Sequence, residues 1–526
     1  MSTSPHPTGF APLTRSGAVA SLLLAATVSL AAQQLPPITF TIRVPDPASH
    51  LARIEARIPA RGKDTLELMM PVWSPGFYRV EDYAGKVQDF AAIGRRGAPL
   101  AVAHPQPNRW RVATGGAREV TVTYTLLCAS RSVTTNWVGD DLGVFNGSAT
   151  YITLAERARR PHEVRLELPP QWTASATALA RVRPGVANQY RADDYDTLND
   201  SPIVAGSLST HEFTVAGSRH VLVDAGNIAG WDGELAARNI RQFVRADSAL
   251  WGSLPFRRYV FLNLFRPGGG GLEHLNSTLL TSRVSPDAPG GNLRWLNFVS
   301  HEYFHAFNVK RLRPVELGPF DYEHPPSTES LWISEGLTSY YGELLVARAG
   351  LGSPGDFLAT LSSHIRSVQR SPGRLRQTLA QSSQQVWTAG TSGVGQDPAT
   401  TVSYYDKGPI VGFLLDAHIR RSSRGARSLD DVMRQAYAEY SGARGFTHDE
   451  FVAVAESVAG HSLREFFRRA VFSTEELDYA EALEWFGLRF VTADAVREWQ
   501  LEPLPEATPE QRAHLTALVA VTIGDR

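Results

Sequence analysis

Two histidines four residues apart, with a glutamate directly after the first, stand out in "NFVSHEYFHAFNVKRL", residues 297–312. On an α-helix His301 and His305 lie one turn apart and within about 40° of the same azimuth, so both imidazoles can reach one ion. Zinc takes imidazole nitrogen at about 2.0–2.1 Å, and a catalytic zinc keeps three protein ligands and a water. Glu302 projects alongside that water and can take its proton, which is the logic of an H-E-x-x-H pattern. With 15 histidines in 526 residues the pattern alone is weak evidence. Its weight comes from its setting in a strongly periodic apolar segment.

A third ligand has to come from elsewhere. His305 is followed by Asn308 and Arg311 where the metzincin pattern requires glycine and histidine, which excludes that class. Glu335, in "LWISEGLTSYYGE", sits in a helical pattern thirty residues downstream of His305, and "RPVELGPFDYEHPPSTES" is long enough to let that helix fold back. Glu323 and His324 are rivals at shorter spacing, but they adjoin Pro325 and Pro326 in a loop-like stretch. Ser339 and Glu343, one and two turns beyond Glu335, are candidates to orient the ligating imidazoles. Tyr303, Phe304 and Phe307 read as core.

The elements that must position these residues divide the chain in two. Residues 35–215 alternate apolar and polar positions between turn signals, as in "ITFTIRV", "RIEARI" and "EVTVTYTLL", which predicts an antiparallel β domain. Residues 216–475 are α+β and mostly helical, giving an α+β multidomain chain. Helices are expected in "DGELAARNIRQFVRADSALWGSL", in "LRWLNFVSHEYFHAFNVKRL" up to a stop before Pro314, in "ESLWISEGLTSYYGELLVARAG" and in "GPIVGFLLDAHIRR". Three capping boxes, Ser428 with Asp431, Thr447 with Glu450 and Ser462 with Glu465, mark further helix starts. The glycine- and serine-rich residues 381–401 read as a long loop, and 476–526 as a tail with one helix in "TPEQRAHLTALVAV".

Composition excludes several function classes. Lysine plus arginine (52) nearly cancels aspartate plus glutamate (53), so no global field recruits nucleic acid or an anionic membrane. Cys128 is the single cysteine, which rules out an internal disulfide, and its strand-like setting marks it as an inert core residue. Arg15 precedes "GAVASLLLAATVSLAA", an uncharged stretch shorter than the roughly twenty residues needed to span a bilayer. Residues 1–32 are therefore read as a secretory signal cleaved near Ala31 or Ala32, sending the chain to the periplasm or the medium with no stable membrane insertion afterwards. Oligomeric state is not readable.

"HEYFHAFNVKRLRP" followed by "LWISEGLTSYYGELLVARAG" resembles the glycyl aminopeptidase family of zinc metallopeptidases, gluzincins related to the leukotriene A4 hydrolase type of aminopeptidase. "GGGGLEHLNST", "SYYDKGPIVGFLLD", "MPVWSPGFYRVEDYAGKVQDF" and "YDTLNDSPIVAG" extend the resemblance over residues 36–475. It implies a thermolysin-like catalytic domain holding one zinc ion between His301, His305 and Glu335, with Glu302 as general base. It also implies that Tyr405, or its neighbour Tyr404, donates to the oxyanion. Glu273, with Gly271 and His274, would hold the free amino group of a peptide substrate, with small first residues such as glycine or alanine favoured. Many members of that family continue into a PDZ domain, and no G-L-G-F-like loop follows Phe490. An endopeptidase of the same fold and an inactive peptide-binding descendant are the alternatives.

Overall fold

Strict alternation makes the first half fold as sheets. In Ile38–Arg43, Leu51–Pro59 and Glu119–Leu127 every second side chain is buried and the others face out, the period of a half-buried strand. The computed structural model describes residues 35–156, 159–388, 397–491 and 498–520. Residues 1–32, read above as a signal segment, lie outside them. Leu51–Pro59 pairs antiparallel with both Ile38–Arg43 and Glu119–Leu127 in a seven-stranded sheet. Two four-stranded sheets complete the β half, which encloses its own core. The antiparallel expectation holds with one exception, the parallel pairing of Ile38–Arg43 with His162–Glu167. Cys128 is fully buried in this core, and burial pushes its thiol up to about 12, so it is inert.

A five-stranded mixed sheet opens the second half: β1 (Leu208–Val215), β2 (Ser218–Gly226), β3 (Arg258–Phe265), β4 (Gly271–Glu273) and β5 (Ser277–Ser282), in the order β1-β2-β3-β5-β4. The short strand β4 is therefore an edge. Helices follow: α1 (Gly233–Trp251), α2 (Leu293–Phe304), α3 (Leu337–Arg348), α4 (Pro354–Arg370) and α5 (Tyr404–Ser422). Their apolar faces form one large core, to which Tyr303, Phe304 and Phe307 belong as expected. No helix of the described residues is long and apolar enough to cross a membrane.

The sequence and the structure part at four places. The histidine helix ends at Phe304, eight residues before Leu312, because Asn308 turns the chain: its amide donates to Ile333 O (2.8 Å) and Thr338 Oγ1 (2.9 Å). Val309 then takes φ 94°, a left-handed value that costs a β-branched residue about 1–3 kcal/mol. Residues 381–401 are not wholly loop, since Leu379–Gln384 is a helix started by a capping box at Thr378. Residues 389–396 of that stretch lie outside the described ones. The boxes at Ser428 and Thr447 form, but Ser462 gives its hydroxyl to Glu456 and Glu465 pairs with Arg468, so the third does not. Residues 476–526 are more than a tail with one helix. Ala480–Phe486 and Pro509–Val519 are both helical, a strand pair joins Leu488–Phe490 to Leu501–Pro503, and Arg348 Nε donates to Leu518 O across to α3.

Candidate metal centre and substrate cleft

The last turn of α2 presents His301, and His305 caps it with helical angles (φ −58°, ψ −22°), so the one-turn spacing survives the early helix end. Glu335 arrives from a single π-turn, Trp332–Gly336, that precedes α3. Such turns shift a side chain relative to an ordinary helix, and they recur at functional sites. The three side chains converge. His301 Nε2 and His305 Nε2 are 3.0 Å apart, and Glu335 Oε2 is 3.7 and 3.2 Å from them. Donors about 2.0–2.1 Å from a tetrahedral zinc would be separated by about 3.3 Å, so the set fits such an ion.

The tautomers fit as well. His305 Nδ1–H donates to Asn308 O (2.9 Å), leaving Nε2 free to ligate. Ser339 Oγ donates to Glu335 O (3.0 Å) and faces His301 Nδ1 at 3.3 Å, orienting the other ring. Charge makes the same demand. Burial would raise the Glu335 carboxyl, yet the His305 charge and hydrogen bonds from both histidines hold it far below the usual carboxylate range. Burial would lower His305, but Glu335, Glu273 and Glu302 lift it to about 10. Three carboxylates around two imidazoles leave the pocket short of positive charge, which a divalent cation would supply.

Two more carboxylates flank these ligands, each seated against a glycine. A Cβ on Gly271 would lie 2.3 Å from Glu302 Oε1, and one on Gly76 would lie 2.3 Å from Glu273 Oε1, so any side chain at either position would evict a carboxylate. Glu302 Oε2 and Glu273 Oε1 are buried, and neither meets a hydrogen-bond partner among the described residues. Burial raises Glu302 well above the usual range, opposed by His305 and reinforced by Glu273 and Glu335. Glu273 is pushed up to about 7, first by burial, with His305 and Lys310 opposing. Far from a solvated edge-strand residue, Glu273 is 3% exposed.

These groups line a cleft of about 1190 Å³ with Gly271, Asn297, Phe298 and Tyr405. Tyr405, in the first turn of α5, is 36% exposed and its ring lies 6.2 Å from that of His301. Tyr404 is fully buried and does not line the cleft. Glu343 reaches neither histidine; it binds His364 Nε2 (2.7 Å), whose Nδ1 meets Asp406 (3.0 Å) beside Tyr405. Glu323 is taken by Arg109 and Asn108 of the β half, and His324 by Asp321, so both rivals stand away from the histidines.

His274 is the sequence-derived residue that the cleft does not include. Its Nδ1 faces Asp200 at 3.2 Å, and the same carboxylate accepts from Leu275 N (2.6 Å) and Lys310 Nζ (2.7 Å). Burial would raise Asp200, but Lys310 and His274 bring it down to about 2. This one β-half carboxylate thus fixes both the segment after Glu273 and the segment after His305. Sequence reading missed Asp200, Gly76 and the double role of Asn308. Asparagine just past a helix is a readable terminus signal, whereas nothing local marks the other two.

Comparison with known proteins supplies independent findings. The Peptidase M61 N-terminal domain model matches residues 39–207, and the M61 glycyl aminopeptidase model matches residues 294–411. No curated protein matches the chain. An aminopeptidase N family protein from Idiomarina loihiensis is similar in structure, with TM-score 0.81 and 29% identity over 86% of this chain and 78% of its own. Two structures from Deinococcus radiodurans share the fold at 13% identity, covering 85% of this chain and 95% of their own. They are an M1 zinc metallopeptidase (TM-score 0.51) and a mutant of it bound to a Tyr-Ser-Ala substrate (TM-score 0.53).

Proposed function

The chain belongs to the M61 glycyl aminopeptidase family of zinc peptidases, and from that premise we propose that it is an exported aminopeptidase that removes small first residues from peptides. One observation carries the exopeptidase reading: a buried carboxylate oxygen, Glu273 Oε1, that meets no hydrogen-bond partner among the described residues and lies on the edge strand bordering the metal ligands. Export rests on the apolar stretch after Arg15.

His301, His305 and Glu335 would hold the zinc. When bound, that ion supplies Lewis acidity, polarising the scissile carbonyl and letting water lose a proton near neutral pH. Glu273 pairs with the α-ammonium of the substrate and so sets which peptide bond lies at the histidines. Glu302, with its raised proton affinity, takes the proton of the attacking water as the new C–O bond forms. It then returns that proton to the leaving nitrogen as the C–N bond breaks. Tyr405 reaches the cleft from the α5 side and donates to the oxygen on which negative charge develops. Asp200 and His274 act at one remove by holding the strand that carries Glu273.

A panel of aminoacyl 4-nitroanilides, run beside the same compounds acetylated on nitrogen, tests the reading. Release from the free amines and none from the acetylated ones is expected. Equal cleavage of both sets would mean an endopeptidase.

A further inference from the structure

The first residue of a peptide carries its ammonium, its carbonyl and its side chain on one carbon. If Glu273 holds the ammonium and the carbonyl lies at the histidines, the side chain must enter a space that also borders Glu273. Resting on the aminopeptidase reading above, we infer that this space is a pit of about 20 Å³ behind Glu273 and that the Tyr78 ring sets its size. Glu273 and Gly76 line both the pit and the main cleft, so these two residues form the wall that the spaces share. Trp73, Tyr78, Val309 and Phe320 wall it in.

Size decides what the pit accepts. A space of about 20 Å³ takes one water-sized group, which is the bulk of an alanine methyl, and has no room for three more carbons. The walls are stiff. Tyr78 is 6% exposed and packs edge-on against Trp387 at 5.9 Å, and Trp387 is in turn edge-on to Trp73 at 5.5 Å. Tyr78 belongs by sequence to the β half, yet it packs into the core of the helical half. Lys310 and Arg313 also reach the pit; Asp200 holds the Lys310 ammonium, while Arg313 gives one nitrogen to Ala443 O and keeps Nη1 buried with no hydrogen-bond partner among the described residues. The pit thus selects for small side chains, with one phenol ring as its limit.

The test compares kcat/KM for alanyl and leucyl 4-nitroanilides in the full-length zinc-loaded protein. The parent should favour alanyl by about 100-fold or more, since each excess methylene in a rigid pocket is costly. Tyr78→Ala should shrink that ratio at least about 10-fold by gaining activity on leucyl, while Tyr78→Phe should keep the parent ratio. Phe320→Ala, on another wall, should shift the ratio the same way and serves if Tyr78→Ala does not fold. An unchanged ratio in a folded Tyr78→Ala or Phe320→Ala protein with full zinc content would overturn the assignment, as would a parent that cleaves both substrates equally well. Those outcomes leave the aminopeptidase reading standing. A parent that releases nothing from any aminoacyl chromogen would sink that reading instead.

Discussion

The two ends of the active cleft are built in opposite ways. At the metal end, His301, Glu302, His305 and Glu335 come from a helix and the π-turn that follows it in the chain, tied together by Asn308. At the ammonium end, Glu273 sits on an edge strand, Gly76 and Tyr78 come from nearly two hundred residues earlier, and Asp200 locks the strand from the β half. Local spacing can encode a ligand set, because helix geometry fixes where i and i+4 point. Recognition of a free amine, as proposed above, would depend on a surface from another part of the fold. Chemistry and specificity are therefore separable, and variants at the two ends should fail differently.

The sharpest contrast is at Glu302. Glu302→Gln keeps the shape and all three ligands but removes the proton acceptor, so kcat should fall by about 10²- to 10⁴-fold with zinc content unchanged. Metal analysis beside steady-state kinetics checks this, and normal turnover would remove Glu302 as the base. A smaller effect is expected at Glu273. Glu273→Ala deletes a charged hydrogen bond worth about 1.5–3 kcal/mol, which is about 10- to 150-fold in kcat/KM for free-amine substrates. Zinc should stay bound. Equal loss of zinc in both variants would erase the distinction between the two ends.

The same division explains what the sequence disclosed. The β half, the helices and the convergence of His301 with His305 were legible because periodicity and i, i+4 spacing are local properties. The family resemblance pointed to Tyr405 with Tyr404 as its rival, and the structure turns the Tyr405 ring to the cleft and buries that of Tyr404. The stop at Phe304 was missed because the apolar repeat runs on through Leu312, while the break comes from Asn308 reaching residues 333–338. His274 was misread as facing substrate because its partner, Asp200, lies 74 positions away. A capping pattern likewise names a possibility, and Ser462 chose Glu456 over Glu465 once the chain had folded.

The smallest effect tests a joint among the helices on the metal side of the cleft. His364 of α4 bridges Glu343 of α3 and Asp406 of α5, pinning the turn that presents Tyr405. Burial opposes its charge, but the two carboxylates raise it to about 10, against about 6.5 in an unfolded chain. A raised folded-state value means that the stabilisation is complete below about pH 6.5 and is lost as pH climbs toward 10. The parent should therefore lose at least about 1 kcal/mol of unfolding free energy between pH 6.5 and 10 that His364→Gln, with no charge to lose, does not. Urea titrations at both pH values measure the difference. Parallel pH slopes for the two proteins would show that His364 is neutral in the fold and that its bridge does not hold α5.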